Sequence, residues 1–228
     1  MIGITFYGHS TFVANIDGCN LLFDPFILPN EKANHIKIEN IPADYILISH
    51  GHEDHIADVE KIARRTNAKI ISNFEITSWF ESEHDLKNSH PMNHGGEWSF
   101  DFGKVKYVNA VHSSTLPDGK SGGNPGGFVI DSAQGCFYYA GDTALHMDMK
   151  LIPDQFQLDF ALLPIGDNFT MGINDAVIAA EFIKTDKIVG LHYDTFGYIE
   201  IDHQKAKESF KNNNITLFLP GIGEKITF

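Results

Sequence analysis

Four apolar stretches of this chain each run directly into a histidine or an aspartate, and this repeated pattern constrains the fold more than any other feature. Tyr45-Ile-Leu-Ile-Ser49 leads into His50-Gly51-His52-Glu53-Asp54-His55, and Tyr107-Val-Asn-Ala-Val111 leads into His112. Phe137-Tyr-Tyr-Ala-Gly141 leads into Asp142, and Ile188-Val-Gly-Leu191 leads into His192. Short runs rich in Ile, Val, Phe and Tyr are strand material. α/β sheets place ligand-binding side chains at the carboxyl ends of strands. Four such ends delivering His and Asp can converge on one cleft.

The remaining strand candidates are Ile2–Phe6, Thr11–Ile16, Asn20–Phe23, Lys69–Ser72, Gly127–Ile130, Phe160–Pro164, Ile215–Leu219 and Lys225–Phe228. The four stretches above supply Tyr45–Ser49, Val105–Val111, Cys136–Ala140 and Lys187–Leu191. Helical spacing of apolar residues predicts Ile56–Arg65, Asp175–Lys184 with Asn174 as its N-cap, and His203–Asn212 capped by Asp202, with a weaker helix over Glu75–Glu81. About twelve strands sit at the limit of one open sheet, which favours two packed sheets with helices on their outer faces. The expectation is an α/β sandwich of two similar halves, divided near residues 115–125 within a single domain spanning 1–228.

The ligand set consists of imidazole and carboxylate without thiolate, a set that suits Zn, Mn, Fe, Ni or Co. His50 and His52 are two residues apart, so an extended turn points both rings the same way, and Gly51 between them permits close backbone approach and unusual φ/ψ. Asp54 and His55 fall where the chain turns into a helix and swing to the far side. Seven candidate ligands exceed the needs of one tetrahedral ion. With Asp142 bridging, they divide into His50, His52, His112 and Asp142 around one ion, and Asp54, His55, Asp142 and His192 around another. Two divalent ions ~3.5–4 Å apart hold a bridging hydroxide at neutral pH, the equipment of a hydrolase. Zinc is the first choice, with manganese, nickel or iron as alternatives.

Composition removes several other functions. Lys plus Arg number 17 against 30 Asp plus Glu, a net charge of −13, which repels phosphate backbones and anionic membranes. The apolar runs fall far short of the ~20 residues that span a bilayer. The start lacks a basic segment followed by a cleavage site. Cys19 and Cys136 read as buried free thiols of a reducing compartment, with a disulfide between them as the alternative. A cytoplasmic protein acting on a small molecule is expected, and homo-oligomer formation is left open.

The run H-x-H-x-D-H, followed in order by His112, Asp142 and His192, resembles the metallo-β-lactamase superfamily. Tyr7-Gly8-His9-Ser10-Thr11, Phe23-Asp24-Pro25-Phe26 and Leu163-Pro-Ile-Gly-Asp-Asn-Phe-Thr170 resemble one branch of it, the UPF0173-type metal-dependent hydrolases. That branch is similar to ascorbate-6-phosphate lactonases and N-acyl-phosphatidylethanolamine phospholipase D. The resemblance implies a four-layer αββα sandwich with a dinuclear centre between the sheets. It implies cleavage of an ester, lactone or phosphodiester bond rather than of a β-lactam. The alternatives are a ribonuclease or an iron-dependent, dioxygenase-like oxidoreductase of the same fold. Asp54 would ligate the second ion and orient the nucleophile. The resemblance also makes Asp24 a carboxylate that orients the His50–His55 loop, against an ordinary turn aspartate. It brings His9 beside the groove, as a residue that touches substrate or shuttles protons, or else as a structural turn histidine. Asp167 and Asn168 would bind substrate or cap a loop. The glycine-rich stretch 121–127 reads as a flexible loop at the groove mouth, Trp79 and Trp98 as core, and the other histidines as surface residues or, for His94, a turn.

Overall fold

The computed structural model describes residues 1–228. In chain order its strands are β1 (Ile2–Gly8), β2 (Thr11–Ile16), β3 (Cys19–Phe23), β4 (Tyr45–Leu47), β5 (Lys69–Asn73), β6 (Ser89–Met92), β7 (Glu97–Phe100), β8 (Gly103–Asn109), β9 (Gly126–Ser132), β10 (Gly135–Tyr139), β11 (Phe160–Pro164), β12 (Lys187–Leu191), β13 (Thr216–Phe218) and β14 (Lys225–Thr227). The α-helices are α1 (Glu53–Ile56), α2 (Val59–Thr66), α3 (Phe74–His84), α4 (Ile173–Ile183) and α5 (His203–Asn212). One seven-stranded sheet has the order β14-β1-β2-β3-β4-β5-β6, and the other β13-β12-β11-β10-β9-β8-β7. Each sheet is antiparallel on one side and parallel on the other, where β3 to β6 and β10 to β13 run together.

Side-chain alternation builds four layers. Phe12, Ala14 and Ile16 of β2 and Leu21 and Phe23 of β3 point inward, against Phe137 and Tyr139 of β10 and Phe160 and Leu162 of β11. The intervening Val13 and Leu22 face outward onto α2 and α3, through Val59, Ile62 and Phe80. Tyr138, Ala161 and Leu163 face outward onto α4 and α5, through Ala176, Ala180 and Phe210. Strands covered on both faces read as continuous apolar runs, which is why they stand out in the sequence. The αββα sandwich is the expected one.

Several details differ from the sequence expectation. The sheets divide between β6 and β7, ahead of residues 115–125, and β14 returns to the first sheet. Edge strands β6 and β7 are additional; Pro91 and the exposed Glu97-Trp98-Ser99 mask them. Trp98 is 55% exposed on that edge instead of being in the core, and it lies against His90. The predicted helix Ile56–Arg65 is broken at Asp58, whose buried carboxylate accepts from the amides of Ile27 and Leu28. Helix α4 starts at Ile173 with Gly172 as N-cap, so Asn174 lies inside it. Asp202 does cap α5, accepting from the amides of Gln204 and Lys205. Cys136 is buried and Cys19 only half-buried.

Candidate metal centre

Strand ends from both sheets meet at one edge of the sandwich. The chain leaves β4, passes Ser49 and turns at His50, which is fully buried. His50 Nε2 lies 3.0 Å from His52 Nδ1. The His112 ring, three residues beyond β8, sits 5.1 Å from both imidazoles between centroids. A Cβ on Gly51 would meet Leu116 at 3.0 Å and the Gly122 Cα at 3.4 Å. Gly51 therefore serves close approach, while its φ lies outside the left-handed region. The 121–127 stretch packs behind this turn, with the Gly122 carbonyl accepting from Asn73 Nδ2.

A second cluster forms from α1 and the end of β12. Nitrogen and oxygen atoms of His9, Asp54, His55 and His192 lie within 4.8 Å of one another. Asp142, after β10, stands between the two groups. Its Oδ2 is 3.6 Å from His112 Nε2, 3.4 Å from His55 Nε2 and 2.9 Å from His192 Nε2. The backbone ties the sheets together here, because the His192 amide donates to the His9 carbonyl at 2.9 Å. His9 (φ 55°) and His192 (φ 56°) both occupy the left-handed region. A non-glycine residue holds that conformation at a cost of roughly 1–3 kcal/mol, a strain that concentrates at functional sites.

Asp24 organises the centre from behind. Fully buried, it accepts from the Ser49 amide at 2.8 Å, from the Ser49 hydroxyl, from His55 Nδ1 at 2.7 Å and from the Tyr139 hydroxyl. Ser49 Oγ in turn lies 2.9 Å from His50 Nδ1. A proton used at Nδ1 leaves the Nε2 lone pair of a neutral ring free, so Asp24 directs both Nε2 atoms into the cluster. The resemblance of Phe23-Asp24-Pro25-Phe26 marked Asp24 in the sequence; Ser49 and Tyr139 carried no comparable signal.

The electrostatics suit cations. Burial drives His50 well below the ordinary imidazole range, and it lowers His52 and His112 as well, so these rings are neutral and able to ligate. Burial works against a charged His55, but Asp142, Asp54 and Asp24 outweigh it and raise that ring far above its usual value. Burial would likewise raise Asp54 and Asp142, yet the surrounding histidines keep both carboxylates low. His55 Nε2 and Asp142 Oδ1 are buried without a hydrogen-bond partner. Buried polar atoms left unpaired are costly. Donors of this kind, gathered around a point that attracts positive charge, fit divalent ions.

The other expected residues are placed as follows. His9 is 1% exposed and does not line the groove; Nε2 meets Asp54 Oδ2 and Nδ1 meets Thr195 Oγ1, each at 3.0 Å. Burial and the His192 ring lower its pKa to about 4. Asp167 and Asn168 line a neighbouring cavity instead of the one over the cluster. Ser113 Oγ is 3.3 Å from His52 Nε2, and Ser114 Oγ accepts from the Gly51 amide. His94 Nε2 lies 2.8 Å from the Pro125 carbonyl, in a turn outside the centre.

Comparison with known proteins is consistent with this geometry. Residues 3–192 match the beta-lactamase superfamily domain. A UPF0173 metal-dependent hydrolase of Flavobacterium johnsoniae is 56% identical over 98% of both chains. Its counterpart in Christiangramia forsetii is 57% identical over the same share. The structure of Igni18, a metallo hydrolase of Ignicoccus hospitalis, superposes with a TM-score of 0.89 at 30% identity, covering 100% of this chain and 98% of that one.

Proposed function

This chain belongs to the beta-lactamase superfamily, alongside the UPF0173 metal-dependent hydrolases, and from that premise we propose that it is a one-domain, metal-dependent hydrolase with a dinuclear centre. The observation that carries the reading is the position of Asp142, whose single Oδ2 reaches ring nitrogens of both histidine clusters. His50, His52, His112 and Asp142 would hold one ion, and Asp54, His55, Asp142 and His192 the other, with zinc as the first candidate. Ions there would ionise water near neutral pH and polarise the scissile oxygen.

The chain's own groups do the rest. Asp24 fixes the His50 and His55 rings through Ser49 Oγ and His55 Nδ1. Asp54 lines the groove, where its carboxylate would accept a hydrogen bond from the attacking water and orient it. In the reaction, the water oxygen bonds to a carbonyl carbon or phosphorus, the bond to the leaving oxygen breaks, and that oxygen departs with the proton. Ester, lactone and phosphodiester bonds all satisfy this scheme, and none needs a serine nucleophile.

A substrate panel tests the reading. Full-length protein loaded with zinc, manganese, nickel or iron is assayed on aryl esters, lactones and phosphodiesters. Turnover that disappears with chelator and returns with metal is expected. No turnover of any of these bonds in fully metallated protein contradicts it.

A further inference from the structure

The cavity over the two clusters has a volume of about 610 Å³, within the usual range for small-molecule sites. Its floor is the candidate centre, but its outer wall is aromatic: Phe169 follows β11, and Phe196 and Tyr198 follow His192. These side chains are 49%, 38% and 78% exposed. The Phe169 and Tyr198 rings stand edge to face at 6.1 Å, and Phe196 is backed by Phe26 at 6.3 Å and by His9 at 5.4 Å. Clustered aromatics left in water beside a reactive centre mark a surface that gains by being covered.

No lysine or arginine lines this cavity. Sites that transfer phosphoryl groups ordinarily add such cations around the oxygens. Lys205 lines the adjacent cavity, among Asp167, Asp175, Glu200 and Asp202. Apart from the candidate ligands, the polar side chains lining the groove are Ser113 and Tyr198. The net charge of −13 opposes an anionic substrate further.

We infer that the groove selects an uncharged carbonyl substrate, an ester or lactone carrying an apolar chain or ring, over a phosphodiester, with Phe169, Phe196 and Tyr198 holding the apolar part. The inference rests on the hydrolase reading and narrows it. Each buried methylene adds roughly fourfold to binding, so preference climbs with chain length until the wall is covered.

The test uses the zinc-loaded full chain with 4-nitrophenyl acetate, 4-nitrophenyl hexanoate and bis(4-nitrophenyl) phosphate as substrates. Hexanophenone, a neutral ketone that is not hydrolysed, reports binding by calorimetry. The expected kcat/KM for hexanoate exceeds that for acetate by roughly tenfold or more, with the diester below both. The Phe169→Ser/Tyr198→Ser double variant brings the ester ratio towards one and weakens hexanophenone Kd about tenfold. A Cβ at Gly197 meets nothing within 4 Å, so a side chain there starts in open space, and Gly197→Leu adds bulk at the groove and lowers hexanoate turnover more than acetate turnover. A flat chain-length profile, a preference for the diester, or hexanophenone binding that is absent or indifferent to the double variant overturns the inference. Failure to hydrolyse either ester or the diester, alongside ketone binding that the double variant weakens, overturns the hydrolase reading and leaves the groove assignment standing.

Discussion

His9 donates from Nε2 to Asp54 Oδ2 across 3.0 Å, although the two are 45 residues apart. A carboxylate only accepts, so Nε2 carries the proton. In a neutral ring, Nδ1 then accepts from the Thr195 hydroxyl at 3.0 Å. This Thr195–His9–Asp54 chain fixes one oxygen of a candidate ligand from outside the groove. On this geometry we propose His9 as a positioning residue behind the candidate metal cluster.

Removing that support should be felt by the second ion. Groups that hold a ligand in place are worth about 10–100-fold in metal affinity. His9→Ala is expected to weaken the second step of a zinc titration by that factor, while His9→Gln, which can still donate from Nε2, recovers part of it. Unchanged affinity at both steps in His9→Ala would remove His9 from the support of the site.

Asp24 predicts a stability effect separable from the metal. Asp24→Ala leaves the Ser49 amide, the Ser49 hydroxyl, His55 Nδ1 and the Tyr139 hydroxyl buried without their acceptor. Breaking a buried charged arrangement of this kind costs roughly 3–5 kcal/mol. Tyr139→Phe removes one donor and should cost only about 1 kcal/mol. Denaturant unfolding of chelator-treated proteins checks the order; equal losses in the two variants would show that Asp24 is not the hub.

The two cysteines should be unreactive in the folded chain. Burial pushes both thiols up to about 12, aided by Asp44 and Asp101 at Cys19 and by Asp131 and Asp159 at Cys136. Unfolded thiols ionise near ~8.5, so between that pH and about 12 the unfolded chain binds fewer protons than the folded one. Their contribution to stability is therefore intact at neutral pH and declines as pH rises through that window. Iodoacetamide labelling at pH 8, followed by mass spectrometry, should be at least about tenfold slower in native than in unfolded protein. Rapid native labelling of Cys136 would contradict its burial.

Much of the centre was legible in the sequence for a physical reason. The side chains that converge are His and Asp, and four of them stand just past a strand, so His50, His112, Asp142 and His192 are marked both by chemistry and by the apolar runs before them. Asp54 and His55 were marked by their spacing from His50 and His52. Partners chosen by three-dimensional contact alone left no such mark. Tyr139 reads as one more aromatic in β10, and Ser49 as the end of a run, yet both hydroxyls bind Asp24. Edge strands were missed because Ser89–Met92 and Glu97–Phe100 bury little apolar surface. Asp58 was missed as a helix break because its partners, the Ile27 and Leu28 amides, lie 31 and 30 residues away.

The central claim is that Asp142 joins two metal sites into one centre. Chelator-treated wild-type protein and the Asp142→Ala and His192→Ala variants, titrated with zinc by calorimetry and checked by elemental analysis, test it most directly. Two ions per wild-type chain are expected, with both steps weakened in Asp142→Ala and mainly one in His192→Ala. A wild-type chain that saturates at one ion, or an Asp142→Ala chain that binds two ions as tightly as wild type, would contradict it.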